Sequence, residues 1–551
     1  MARTPLLRTL FQLSSDHQAA KRAGVPVEAV REARARAAEQ RGPTRRRILQ
    51  GAGALAATAL LPRRARAAKG APRVASVGGG ISGLTAALTL ADAGIASTIY
   101  ESSTTPDAIG GRMHSNTTFW ADGQVSEWCG ELIDSGHKTV LNLAKRFNLP
   151  VDDLFAGEPN GSEDTYKFAG QYYPKAQADI DFQPVHNALQ GDVQAASYPT
   201  LYNLSTPGGR ALDAMSIYDW IESRVPGGHS APLGKLLDIA YNIEYGAEST
   251  VQSALNLVYL LGYGAKPGNF TLFGKSDERF HIAGGNQRLP TAIASSLGVG
   301  STIQLDKRLL AIAQSAGGTY TLTFASAAKP TSTTVTADYV ILALPFAVLR
   351  TLDYRNAGFD ALKNTAIQQL GRGRNGKLHL QFDDRMWYGP GPWPGGSSNG
   401  ASVADTGYQN TWEVSRAQAG ASGILVNYTG GNVAAAMRTT VPFTSTPTAS
   451  VVQDAQTFLS RLEPVFPGVS RHWNGRATSS LPFLAPNLNC SYSYWLVGQY
   501  QQFAGYEKAP QGNVYFAGEH TSVDFQGYME GGASEGVRAG REVLAALGVH
   551  A

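Results

Sequence analysis

The alternation of apolar and polar positions changes character near residue 70. Residues 5–42 interleave charged and small side chains around Val25-Pro26-Val27-Glu28, the pattern of a solvated helical arm. Beyond it, 73–77 reads as a short buried strand, 78–83 as a tight glycine-rich turn and 84–93 as an Ala/Leu helix. A second strand over 95–100 ends at Glu101. Such a strand–helix–strand unit builds parallel sheets and predicts an α/β fold. Helical spacing returns at 233–243 and 254–263, and again after Leu289-Pro290. Period-two alternation over 319–324 and an apolar run over 337–345 predict strands, with further candidates at 377–382 and 423–429. The Gly/Pro/Ser-rich stretches 389–400 and 441–449 read as surface loops.

The length of 551 residues predicts two domains, and 43% apolar with 16% charged residues supplies an ordinary globular core. The net charge of +4 hides an asymmetry: residues 1–68 carry +10 and the remainder −6. The folded body therefore gives no reason to expect nucleic acid. Within the basic leader stand Thr44-Arg45-Arg46-Arg47-Ile48-Leu49-Gln50, an apolar run over 51–61, and Ala65-Arg66-Ala67-Ala68. This resembles a bacterial twin-arginine export signal with a small-residue cleavage site, predicting a periplasmic or secreted product, or a cytoplasmic one if the signal is unused. The run is too short to span a bilayer, so stable membrane insertion is not expected. With Cys129 and Cys490 alone, no disulfide framework is expected.

Gly78, Gly80 and Gly83 give the Gly-x-Gly-x-x-Gly spacing between a strand and a helix. The first permits the turn, the second lets backbone approach a pyrophosphate, and the third allows close helix–strand packing. The helix N-terminus offers free N–H groups and positive potential to phosphates. Glu101, 18 residues past Gly83, is placed to accept ribose hydroxyls. Spacing alone does not separate NAD from FAD.

Further segments carry a resemblance. Gly110-Gly111-Arg112-Met113-His114-Ser115, Trp128-Cys129-Gly130-Glu131-Leu132-Ile133, the strand at 337–341, Phe516-Ala517-Gly518-Glu519 and Gly527-Tyr528-Met529-Glu530-Gly531 resemble, in order, the flavin-containing amine oxidase family. The resemblance runs from about residue 73 to 547 and implies a Rossmann-like FAD-binding domain of the two-dinucleotide-binding type. That domain would be assembled from 70–150, 275–360 and 500–548, interleaved with an α+β substrate domain from 151–274 and 361–499. It implies FAD contacts from Gly78, Gly80, Ser82, Gly83, Glu101, Gly111, Arg112, Leu309 and Glu519. The family has an arginine two residues before Gly-Gly-Arg, where this chain has Ala108, so the adenosine end is held differently.

The same resemblance places Tyr528 in an aromatic pair before the flavin, with Tyr492, Tyr494 or Trp495 as its partner. Lys377 resembles the lysine that reaches flavin N5 through a water, with His281 as the alternative. Catalytic roles are thus expected for Tyr528, Lys377 and Trp495. Cys490 stands at the offset of the flavin-linked cysteine of monoamine oxidases, but non-covalent FAD is the expectation, since Ser491 replaces the tyrosine that follows that cysteine. The ten histidines lack metal-ligand spacing.

The expected reaction is oxidative deamination of an L-amino acid, giving a 2-oxo acid, ammonia and H2O2 with O2 as acceptor. The alternatives are oxidation of a simple amine, polyamine or alkaloid, and a flavoprotein without oxidase turnover. Lys377, the Leu289-Pro290-Thr291 helix start and the Tyr494-Trp495…Gly498-Gln499-Tyr500 run resemble bacterial L-amino acid oxidases. A carboxylate-binding arginine is missing after Gly130-Glu131-Leu132-Ile133. Acidic residues lining the pocket would reverse the preference toward amines. A homodimer is the candidate assembly.

Overall fold

The computed structural model describes residues 71–263, 276–391, 393 and 397–549, so the basic arm and the twin-arginine leader lie outside the described residues. Two sheets organise the chain, and their strands interleave along the sequence. The first is five-stranded and parallel, in the order Val514–Phe516, Tyr339–Leu342, Val74–Val77, Thr98–Tyr100, Ile303–Gln304. Its central strands are almost wholly apolar because both faces are buried, one by the helices Ile81–Asp92 and Met529–Ala546 through Ala86, Leu90 and Val543, the other chiefly by an antiparallel sheet through Leu322 and Phe324, as parallel sheets require. A three-stranded antiparallel sheet, Arg308–Gln314, Tyr320–Ala325 and Thr333–Ala337, closes one side.

The second sheet has eight strands, in the order Phe443–Ser445, Trp473–Ser480, Asn375–Phe382, Gly423–Gly430, Asn410–Glu413, Ser398–Ala404, Glu163–Phe168, Gln171–Tyr172. One face packs on the helix Ala449–Leu462 through Leu378, Leu380, Phe382 and Phe458. Since side chains alternate along a strand, Lys377, His379 and Gln381 point the other way. Helices Lys175–Ala196, Ile217–Arg224, Pro232–Tyr245 and Ala254–Gly262 form a separate core around Phe182, Trp220 and Leu237.

Most expected elements occur within a few residues of their predicted bounds. The stretch 389–400 is the exception. It runs into the strand Ser398–Ala404, whose polar residues are buried and bonded to neighbouring segments, Ser402 Oγ lying 2.6 Å from both Tyr408 Oη and Thr411 Oγ1. The stretch 441–449 likewise holds the edge strand Phe443–Ser445.

The last helix, Met529–Ala546, lies directly on the first helix of the nucleotide unit, Ile81–Asp92. Gly536 permits the contact: a Cβ there would sit 2.1 Å from Thr85 Oγ1 and 2.2 Å from the Ser82 carbonyl oxygen. Thr85 Oγ1 donates across the seam to the Ala533 carbonyl at 3.0 Å. Among the described residues no helix is long and apolar enough to cross a membrane.

Candidate active site

A cavity of about 920 Å³ runs from the carboxyl ends of the parallel strands to the open face of the large sheet. At the parallel-strand end, Gly78 adopts φ +105°, and a Cβ there would lie 2.7 Å from the Ala343 carbonyl oxygen. Gly83 does not line the cavity. Its missing side chain lets the helix sit against the turn, since a Cβ would fall 2.0 Å from the Gly78 carbonyl oxygen. Gly80 caps Ile81–Asp92 without a side-chain cap, and the first turn carries no acidic residue. The free N–H groups beside Ile81 and Ser82 therefore face the cavity, and nothing but the Gly110 carbonyl oxygen comes within 4.0 Å of a Gly80 Cβ. An uncapped helix start behind a bare glycine fits a pyrophosphate.

The second segment packs backbone against backbone on this turn, the Gly110 N–H donating to the Gly79 carbonyl at 3.1 Å. Gly111 and Arg112 follow in the cavity wall. The Arg112 guanidinium donates to Glu519 Oε1 at 3.0 Å and to the Ser491 carbonyl at 2.8 Å. Glu519 also accepts from Ser493 Oγ at 2.7 Å and from the Gly527 N–H at 2.9 Å. One buried ion pair thus ties together chain segments four hundred residues apart. Burial alone would raise the Glu519 carboxyl, but the Arg112 charge and these donors hold it below the ordinary carboxylate range.

Glu101 lines the adenosine end, with Oε2 accepting the Gly79 N–H and Oε1 the Ser103 N–H and Oγ, the latter two at 2.7 Å. Leu309 lines the same end with Lys307 and Arg308, whose segment is hydrogen-bonded to that of Glu101. Lys307 and Arg308 thus border the same cavity as Ala108. The residues expected to hold FAD, Gly83 aside, border one continuous space of the right chemistry.

At the other end, Lys377 and Tyr428 are directly paired across neighbouring strands. Lys377 Nζ lies 2.5 Å from Glu131 Oε2, and Trp412 Nε1 donates to Glu131 Oε1 at 2.8 Å. The Trp412 and Tyr428 rings stand 5.0 Å apart, and Tyr428 Oη is 2.9 Å from Tyr492 Oη. Tyr528, at the cap of the last helix, completes an aromatic wall; its edge meets the His137 ring at 5.2 Å. Its hydroxyl donates to Glu244 Oε1 at 3.3 Å.

Three expectations are corrected by position. Trp495 does not line the cavity: it packs into the core against Tyr500 and Phe503, its carbonyl accepting from Asn256 Nδ2 at 2.9 Å. Tyr494 is buried in a short strand against Gly371–Arg372, which leaves Tyr492 as the member of that run in the wall. His281 is buried behind the wall, its Nε2 2.8 Å from Glu127 Oε1; burial opposes its protonation, yet that bond and charge hold the imidazole above its usual range. The Cys490 thiol is buried and pushed up to about 11 by desolvation, with its chain neighbours, not itself, facing the cavity.

The acidic residues escaped the sequence reading. Glu244 ends the helix Pro232–Tyr245, half-buried beside the cavity, where burial raises its carboxyl to about 7. Glu278 sits at φ +47°, a left-handed conformation unusual for a long side chain, held there by its N–H donating to Asp134 Oδ1 at 2.9 Å. Its carboxyl is driven well above the ordinary range by burial and then by Asp134, Glu244, Glu131 and Asp164. No local signal marks these positions; they matter because separate segments converge.

Comparison with known proteins agrees with this geometry. The profile of the family described as flavin containing amine oxidoreductase matches residues 81–544. Polyamine oxidase 7 of Oryza sativa subsp. japonica is 26% identical, covering 86% of this chain and 95% of that protein. A putative L-amino-acid oxidase of Bacillus subtilis (strain 168) is 25% identical, covering 85% and 93%. Among solved structures, cyclohexylamine oxidase from Brevibacterium oxydans IH-35A shares the fold with a TM-score of 0.70 at 19% identity, over 87% of this chain and 99% of that one.

Proposed function

The chain belongs to the flavin-containing amine oxidoreductase family, an FAD-dependent one, and within it we propose an oxidase of amines bearing a further positive charge, such as diamines and polyamines. Bound FAD supplies the two-electron acceptor for the carbon that bears nitrogen, with O2 as the final oxidant and H2O2 as the product. The protein supplies orientation, charge and exclusion of water.

One observation carries the reading: Glu131, Glu158, Asp164, Glu244, Asp277 and Glu278 all border the same cavity. Like charges gathered in a cavity are relieved by a cationic ligand. The aromatic wall of Trp412, Tyr428, Tyr492 and Tyr528 offers π-faces to the same charge. A substrate carboxylate would meet the opposite situation. Lys377 is committed to Glu131, Arg112 to Glu519, and Arg416 lies 3.6 Å from Glu158. The preference for L-amino acids drawn from sequence is therefore replaced by one for amines. Relatives named polyamine oxidases, including polyamine oxidase 1 of Zea mays at 25% identity, support it.

Anaerobic mixing with a diamine, a triamine, a monoamine and a panel of L-amino acids tests the proposal through bleaching of the flavin band, with peroxide release measured in air. One charge-assisted contact of about 1.5–3 kcal/mol favours the longer cations by about 10- to 100-fold in kcat/KM. Faster reduction by L-amino acids than by any amine would overturn it.

A further inference from the structure

Amines and amino acids alike arrive at neutral pH as ammonium ions, whereas oxidation at the carbon needs the nitrogen lone pair free. Some group must take that proton. The carboxylates around the cavity differ in how far they are already committed. Glu131 is bonded to Lys377 and Trp412, and Glu519 to Arg112 and Ser493. Asp134 stands behind the wall, accepting from Ser276 Oγ and the Glu278 N–H at 2.9 Å. Glu278 is crowded by Asp134, Glu244, Glu131 and Asp164, and burial with these charges drives its carboxyl well above the ordinary range.

Glu244 is different. It borders the cavity, and the hydrogen bond it makes is to the hydroxyl of Tyr528, the aromatic residue at the head of the last helix. Tyr528 is fixed in turn through Gly527, whose N–H is held by Glu519 on the cofactor side. The carboxyl is thus suspended between the aromatic wall and the substrate space. Asp134 and Glu278 face it from the loops, and Tyr245 from its own helix. Tyr428, Tyr492 and Tyr528 face it from the sheet, the 492 segment and the last helix. All are acids or phenols, and among the described residues no cation forms an ion pair with Glu244.

We propose that Glu244 is the general base that takes the proton from the substrate ammonium. One N–H bond of the ammonium breaks and one O–H bond forms on the carboxylate, so a cation and an anion become a neutral amine and a neutral acid. No oxidant enters this step. The proton leaves through the cavity mouth after turnover. The inference rests on the amine chemistry of the family and not on the number of charges in the substrate.

The test is the pH dependence of kcat/KM for a fast amine substrate, measured on flavin-replete protein. Burial raises the Glu244 carboxyl to about 7 and the Tyr528 hydroxyl pulls it down, so the native profile rises through an acid limb near there. Glu244→Gln should abolish that limb and lower kcat/KM at pH 7 by about 10²-fold, with recovery toward the native rate near pH 10, where free amine prevails. Tyr528→Phe removes the hydroxyl that favours the ionised carboxyl and should move the acid limb to higher pH. A parallel drop at every pH, or an unchanged limb in Glu244→Gln, would overturn the proposal. Should Glu244→Gln fail to retain flavin, the limb of Tyr528→Phe decides: an unmoved limb overturns the proposal. Absence of flavin reduction by any amine in the native protein would instead count against the amine reading itself.

Discussion

Replacing Glu519 by Gln keeps the shape of the side chain and removes its charge. The Arg112 guanidinium, a fifth exposed while Glu519 is nearly buried, would keep one strong acceptor, the Ser491 carbonyl. Ser493 Oγ and the Gly527 N–H would exchange a charged acceptor for a neutral one. Breaking a buried ion pair from one side costs about 3–5 kcal/mol, and the partial exposure of Arg112 puts this pair at the lower end, about 3 kcal/mol. The sign with pH follows from the depressed carboxyl. Its contribution is complete above the unfolded-state value of about 4.3 and is lost as pH falls through the lower folded-state value. Urea unfolding of native and Glu519→Gln apoprotein, followed by tryptophan fluorescence, should show a gap of that size at pH 7 which closes toward pH 3. Equal midpoints at pH 7, or a gap indifferent to pH, would refute the assignment of stability to this pair.

Glu101→Ala should raise the dissociation constant of FAD about tenfold while leaving that of FMN, which lacks the adenosine half, unchanged in apoprotein titrations. Lys377→Met should slow reoxidation of reduced flavin by O2 by about 10²-fold and alter substrate reduction little, as stopped-flow traces would show. Trp495→Phe should leave kcat/KM alone and lower unfolding stability by about 1 kcal/mol, because the ring belongs to the core and not to the cavity.

What could be read from the chain follows from the range of the forces involved. The nucleotide turn was legible because the spacing of Gly78, Gly80 and Gly83 is itself local, although an added Cβ would collide with the Gly78 carbonyl at position 83 and with the distant Ala343 carbonyl at position 78. Lys377 was singled out by resemblance alone, and the alternation with Leu378 and Leu380 in the folded strand is what turns it toward the cavity. Trp495 was misread because adjacency to Tyr492 says nothing about which face each ring takes once the strand Ser493–Tyr494 ends. The buried strand Ser398–Ala404 was missed because its polar side chains are satisfied by other segments, through Tyr408 and Thr411, instead of by solvent. Glu244 and Glu278 belong to segments 34 residues apart in sequence, and their shared electrostatics exist only after folding. The charge of the substrate therefore could not be taken from composition, which averages over the whole chain.

The glycine seam between the opening and closing helices has a consequence for synthesis. Gly536 lets the last helix drop onto Ile81–Asp92, and the residues just before that helix supply Glu519, Gly527 and Tyr528. A nascent chain emerging from the ribosome holds a phosphate-binding turn early, yet half of its wall is still untranslated. Coenzyme capture thereby waits for the segment that carries Glu519 and Tyr528, and a polypeptide released before Glu519 would leave the cavity an open groove with the Arg112 guanidinium lacking its carboxylate.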